Sequence, residues 1–261
     1  MQDDIYQEIA RLKAEGQEAA LVTVISTGGS TPRKEGTKML VRDDGTILGT
    51  IGGGRLEEQV TKEALVAIRK GQTNRLTYHL EEGGEAGMIC GGDLEVFIEP
   101  ILSTPTLFIF GGGHIALALT KIAKLVGFKI VVIDDRPEFA TPMRFPEAEQ
   151  TLAADFGEAF SKLDLIKSSY IVIVTYQHKG DEVALESAVK TEARYVGMIG
   201  SRNKNRVLSS HLLAKGIPQE LLDRVHAPIG LSINAQTSEE IAVGILAEII
   251  LVRRSQLEVK S

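Results

Sequence analysis

Apolar and polar positions follow two rhythms along this chain, and the rhythm changes near residue 105. In the first hundred residues an amphipathic N-terminal stretch gives way to an apolar run at 19–25, which predicts a strand, and then to a polar loop over residues 26–33. Residues 39–41 and 47–50 flank Asp43-Asp44-Gly45, a turn sequence that predicts a hairpin. Leu56, Val60, Ala64, Ala67 and Ile68 recur at helical spacing, so a helix is expected from Gly52-Gly53-Gly54 to about Lys70. Strands near 75–79 and 94–98 complete an α+β domain expected over residues 1–100, with Gly83-Gly84 read as a tight turn.

Glu99-Pro100-Ile101-Leu102-Ser103-Thr104-Pro105 holds two prolines and predicts a linker. Beyond it strands and helices alternate: strand 106–110, helix 115–126, strands 129–133, 151–153 and 170–174, helix 181–189, strand 195–199, helix 202–213. Such alternation implies a parallel sheet covered by helices on both faces. The expected fold class is therefore α/β, a Rossmann-like parallel-sheet domain over residues 106–261 preceded by a smaller α+β domain. Thr237-Ser238-Glu239-Glu240 has the spacing of a capping box, and Arg253-Arg254 suits a helix C-terminus, so a last helix runs between them. Its apolar face, Ile241, Ile245 and Ile249, admits two placements: against the chain's own sheet or in a dimer contact.

Composition narrows the function classes. The 261 residues carry a net charge of −6, which disfavours a general affinity for nucleic acid or anionic membrane. The apolar runs are too short to span a bilayer. The N-terminal stretch MQDDIYQEIARLKAEG lacks a basic n-region and an apolar h-region, and a single cysteine makes no internal disulfide, so a cytoplasmic location is expected.

Candidate chemistry gathers in glycine-rich loops. Gly111-Gly112-Gly113-His114-Ile115-Ala116 follows an apolar strand and opens a helix, matching the GxGxxA form of the nucleotide-binding turn. Gly111 would permit the tight turn, Gly113 would leave room for a phosphate at the helix N-terminus, and Ala116 would allow close helix-to-sheet packing. Asp134, about 20 positions on, would accept a ribose diol and repel a 2′-phosphate, favouring NAD-like ligands. The loops Thr175-Tyr176-Gln177-His178-Lys179-Gly180-Asp181 and Gly200-Ser201-Arg202-Asn203-Lys204 should open on the same sheet edge. The polar residues of both loops, Gln177 and His178 among them, are candidates to line the crevice, and Ser201 with Arg202 could hold an anion, although capping alone would explain the serine.

Gly52-Gly53-Gly54 before a helix is a second possible anion cradle, with Arg33, Lys38 and Arg55 near it in sequence. Cys90, the one cysteine, stands in Met88-Ile89-Cys90-Gly91-Gly92. A free cysteine is commonly a small buried hydrophobe, yet two following glycines offer this thiol no cover, a placement that suits contact with a ligand or another sulfur. No metal-ligating set is singled out.

The order of these motifs resembles the xanthine dehydrogenase accessory family, XdhC/CoxI type. In the first half the matching runs are Ser30-Thr31-Pro32-Arg33, Gly36-Thr37-Lys38-Met39, residues 49–54 and Cys90-Gly91-Gly92; in the second, Phe110-Gly111-Gly112-Gly113-His114, Asp134-Asp135-Arg136-Pro137, residues 175–178, 195–201 and 227–231. Many members have GAGH at the turn, so Gly112 falls at a variable position. Residues 230–235 also differ from the glycine-richer form common there. The resemblance implies a maturation role: binding molybdenum cofactor (molybdopterin) as cargo, helping its sulfuration with a cysteine desulfurase, and inserting it into a xanthine dehydrogenase-type molybdenum hydroxylase. It makes Cys90 the candidate for sulfur handling or cofactor contact and suits the glycine loops, His114 included, to a pterin phosphate or dinucleotide. A homodimer is expected, and the protein reads as a cofactor-handling chaperone more than a turnover enzyme. An NAD(P)-dependent oxidoreductase, with His178 or His114 as proton relay, and a nucleotide-sensing regulator are the alternatives, and NAD or another nucleotide is the candidate occupant of the Rossmann domain.

Overall fold

A computed structural model describes residues 2–29, 31, 33–80 and 92–255 of the chain. Cys90, Gly91 and the Gly83-Gly84 turn lie outside the described residues. The described residues divide into two compact units, one within residues 1–103 and one of residues 104–255.

In the first unit, α1 (Gln2–Ala14) precedes β1 (Ala19–Gly29), β2 (Lys38–Arg42), β3 (Ile47–Gly49), α2 (Gly54–Lys70), β4 (Asn74–Leu80) and β5 (Gly92–Ile101). The strands form an antiparallel sheet in the order β3-β2-β1-β5-β4. The expected hairpin is β2–β3, closed by the Thr46 amide donating to Asp44 Oδ1 at 2.8 Å. Helix α2 buries the five apolar positions legible from its periodicity, and they pack with Val22, Val24, Val96 and Ile98 of the sheet. On the other face, Ile5 and Leu12 of α1 meet Leu21 and Leu40.

Two segments expected to be loops are strand. β1 continues through Ser26-Thr27-Gly28-Gly29 because, past a bulge between Val24 and Ser26, β5 pairs with it down to Gly29↔Gly92. β5 likewise runs through Glu99-Pro100-Ile101, paired with Leu21, Ala20 and Ala19. β4 pairs no further than Ile98, so Pro100 stands where β5 has one neighbour, the position in which a sheet tolerates proline.

The second unit alternates β6 (Thr106–Phe110), α3 (His114–Leu125), β7 (Lys129–Asp134), β8 (Gln150–Ala153), α4 (Phe156–Ala159), β9 (Ser169–Ile173), α5 (His178–Ala188), β10 (Tyr195–Met198), α6 (Arg202–Ala214), α7 (Gln219–Leu222), β11 (Val225–His226) and α8 (Ser238–Ser255). The strands are parallel and ordered β11-β10-β9-β6-β7-β8, the doubly wound arrangement with its switch point between β6 and β9. Alternation along β6 sends Phe108 and Phe110 to a core shared with α5 and α6, and Leu107 and Ile109 to a core shared with α3 and α8.

The capping box of α8 forms reciprocally: Thr237 Oγ1 accepts from the Glu240 amide at 3.2 Å, and Glu240 Oε2 accepts from the Thr237 amide at 3.1 Å. Ile245 and Ile249 are buried within this unit, with Ile241 packed beside them, so that face closes the chain's own core. Among the described residues no helix is long and apolar enough to cross a membrane.

Candidate functional site

The C-terminal edge of the parallel sheet is built around the turn from β6 to α3. Gly111 has φ +111°, and a Cβ there would lie 2.4 Å from the Val174 carbonyl oxygen, so the turn can follow this path only with glycine. At Gly112 a Cβ would lie 2.2 Å from the Phe139 carbonyl oxygen. The residue at the variable position is thus glycine because the loop after β7 packs directly on it. At Gly113 a Cβ would meet nothing within 4 Å. Gly113 caps α3 without a side-chain hydrogen bond and no acidic residue stands in the first turn, so this helix end keeps its positive dipole and open space. Ala116 is buried in the α3–α8 core, and His114 is exposed.

Asp134 ends β7 fully buried. Its Oδ2 accepts from the Gly112 amide at 2.7 Å and from an Arg136 Nη at 2.9 Å, and its Oδ1 accepts from the Arg136 amide at 3.0 Å and Nε at 2.8 Å. Burial would push this carboxyl up, but the Arg136 side chain and the two amides outweigh it and hold Asp134 below the usual carboxylate range. Four donors use both oxygens, so the ribose role expected for Asp134 is not available to it in this arrangement. The Arg136 guanidinium carbon lies 3.6 Å from the Phe139 ring centroid and 3.7 Å from that of Tyr176, and Tyr176 donates to Asp135 Oδ2 at 3.2 Å. Arg144 Nε donates to the Gly112 carbonyl at 3.0 Å.

Beside the turn, Thr175, Tyr176, Gln177, Asp181 and Lys204 line a cavity of about 320 Å³. Asp181 is buried; its Oδ1 accepts from the Thr175 hydroxyl at 2.7 Å, and its Oδ2 pairs with Lys204 Nζ. Gln177 is exposed at the cavity and precedes α5. His178 opens α5, and its side chain lies outside what the structure describes. Ser201 accepts from the Lys204 amide at 3.2 Å, so its hydroxyl caps α6, while Arg202 is exposed. A second cavity, of about 800 Å³, opens between α5 and α6, bordered by Lys179, Ser201, Lys204 and Val207.

In the first unit the proposed cradle at Gly52, Gly53 and Gly54 holds the chain's own anion. All three glycines have positive φ, at 147°, 85° and 61°, and the loop wraps round Glu57. Glu57 Oε1 accepts from the Ile51 amide at 3.0 Å, the Gly53 amide at 2.8 Å and the Thr50 hydroxyl. Burial opposes ionisation of Glu57, yet these donors hold it below the usual carboxylate range. The cradle expected to face a ligand is therefore filled from within, and an acidic residue in the first turn of α2 was the sequence signal for it. Glu57→Ala should lower the unfolding free energy by about 2 kcal/mol, read by urea denaturation, because two part-buried amides lose their acceptor.

Sequence reasoning singled out Asp134, Ser201 and the glycines, counted Tyr176, Asp181 and Lys204 only among the polar residues lining the crevice, and gave no role to Arg136, Phe139, Arg144 or Glu57. Arg136 was visible only as the third residue of Asp134-Asp135-Arg136-Pro137. Among the described residues no group of three His, Cys, Asp or Glu side chains is placed to hold a metal ion.

A doubly wound sheet with a glycine turn at its switch point defines a Rossmann-type protein, joined here to an antiparallel α+β unit. Residues 107–249, more than half of the chain, match the XdhC Rossmann domain, and residues 12–79 match the XdhC and CoxI family. The chain belongs to the XdhC and CoxI family. It is 35% identical over 255 residues to the uncharacterized protein YqeB of Escherichia coli K12, covering 97% of this chain and 47% of that protein. It is 31% identical over 159 residues to a probable xanthine dehydrogenase subunit of Bacillus subtilis 168, covering 61% and 46%. The chain thus spans about half the length of these two relatives. Across 98% of its length it is 24% identical to the molybdenum cofactor insertion chaperone PaoD of Escherichia coli K12, covering 91% of that protein. A crystal structure from Bacillus halodurans described as a xanthine dehydrogenase superposes with a TM-score of 0.53 at 25% identity, covering 98% of this chain and 97% of the other.

Proposed function

We propose that this protein is a maturation factor that binds molybdenum cofactor, assists its sulfuration and inserts it into a xanthine dehydrogenase-type molybdenum hydroxylase. The observation that carries this reading is the match of both halves, in order, to the XdhC Rossmann domain and the XdhC and CoxI family, together with a likeness over nearly the whole chain to a molybdenum cofactor insertion chaperone. In this reading the open α3 N-terminus at Gly113 receives the phosphate of the cargo, helped by the dipole of that helix. Ala116 keeps α3 close to the sheet, and Gln177 borders the neighbouring cavity. Cys90 is proposed to handle the sulfur supplied by a cysteine desulfurase, in a cytoplasmic homodimer. The saturated Asp134 gives the dinucleotide-dependent oxidoreductase no comparable support.

The test is client activity in cells that lack this protein. The hydroxylase should accumulate without inserted, sulfurated cofactor and regain activity with the wild-type chain. Cys90→Ala should leave activity at least tenfold lower, read together with the cyanide-releasable sulfur of the purified client. Full activity without the chain contradicts the maturation role, and full rescue by Cys90→Ala removes the thiol from it.

A further inference from the structure

We propose that Arg136 and Tyr176 form a strap that closes the switch-point crevice to extended dinucleotides and leaves the edge to compact phosphate-bearing ligands; this rests on the cofactor-handling reading. β6 lies between β7 and β9, Arg136 follows β7, and Tyr176 follows β9. Any contact between these two residues must therefore cross the end of β6, where the pyrophosphate of a dinucleotide runs over the glycine turn. The contact is a stacked one: the guanidinium sits between the Tyr176 and Phe139 rings at 3.7 and 3.6 Å from their centroids. It is tied at both ends, by the Tyr176 hydroxyl on Asp135 at 3.2 Å and by the paired bonds from Arg136 to buried Asp134.

The strap also alters what the edge can recognise. Asp134 faces Arg136 and the Gly112 amide, so the acceptor that would read a ribose diol serves the strap. The cavity beside it, about 320 Å³, lies at the lower end of the range for small-molecule pockets. A pterin phosphate or a mononucleotide is short enough to sit at the open helix end without crossing that span. A dinucleotide needs the span that the strap crosses.

NAD and ADP-ribose titrated calorimetrically into the full chain test this, with Tyr176→Ala opening the strap and Tyr176→Phe removing only the tie to Asp135. Tyr176 is 47% exposed, so its truncation leaves the core intact. Tyr176→Ala should bind NAD at least tenfold more tightly than wild type, with Tyr176→Phe in between. Wild type binding NAD as tightly as Tyr176→Ala, a variant that gains nothing, or a variant that loses affinity overturns the proposal. The same proteins titrated anaerobically with molybdenum cofactor separate the two ideas. Cofactor uptake without any gain in NAD binding sinks the strap alone, and a gain in NAD binding without cofactor uptake sinks the maturation reading alone.

Discussion

Gly111→Ala should destabilise the second unit by about 3 kcal/mol or more, whereas Gly113→Ala should change its stability by less than about 1 kcal/mol. The two positions share a turn and a residue type but not an environment. A methyl group at Gly111 would lie 2.4 Å from the Val174 carbonyl oxygen and 2.7 Å from its carbon, on a backbone already at φ +111°. Those atoms belong to the exit of β9, the neighbour of β6, so relief requires moving one central strand against the other. Gly113 has φ −76° and open space around it, so alanine fits. Its methyl would instead fill the volume proposed for a phosphate, and Gly113→Ala should weaken cargo binding in a protein of nearly normal stability. Urea denaturation of both variants, followed by cargo titration of the second, distinguishes a glycine required by the fold from one required by a ligand.

Asp134→Ala should cost about 3 kcal/mol, since it leaves a half-covered guanidinium and the buried Gly112 amide without their acceptor. The loss should depend on pH with a definite sign. Asp134 is held below its ordinary carboxylate value in the folded protein, so its contribution is fully present above the unfolded-state value near 4 and fades as pH falls through the folded one. Denaturation curves of wild type and Asp134→Ala should therefore differ by a constant amount near neutral pH and converge in acid. A difference that grows on acidification would contradict the assignment. Because Asp134 anchors Arg136, the same variant should loosen the stack on Tyr176 and Phe139.

The architecture was legible wherever burial has a period. The apolar stripe of α2, the alternation of strands and helices beyond residue 105, and the capping box of α8 each follow from one-dimensional spacing, and each is present. The additional strand residues in β1 and β5 were not legible, because Ser26-Thr27-Gly28-Gly29 and Glu99-Pro100-Ile101 are poor strand sequences made strand by their partners, the first by the start of β5 and the second by β1's apolar start. At the glycine turn, the pattern located Gly111, Gly113 and Asp134 but could not show who their partners are. Asp134 finds Arg136 two residues away, a local pair that competes with any ligand. Glu57 enters the Gly52–54 loop for the same reason: a carboxylate tethered nearby meets the amides at a far higher effective concentration than a ligand in solution. Tyr176 reaches across a strand, a contact that depends on strand order and so has no signature in spacing.

The most direct measurement is anaerobic titration of the full chain with molybdenum cofactor, followed by mixing with cofactor-free hydroxylase in the presence of a cysteine desulfurase and L-cysteine as sulfur source. Saturable uptake of one cofactor per chain and appearance of hydroxylase activity on mixing are the predicted results. A chain that takes up no cofactor and leaves the hydroxylase inactive would contradict the account.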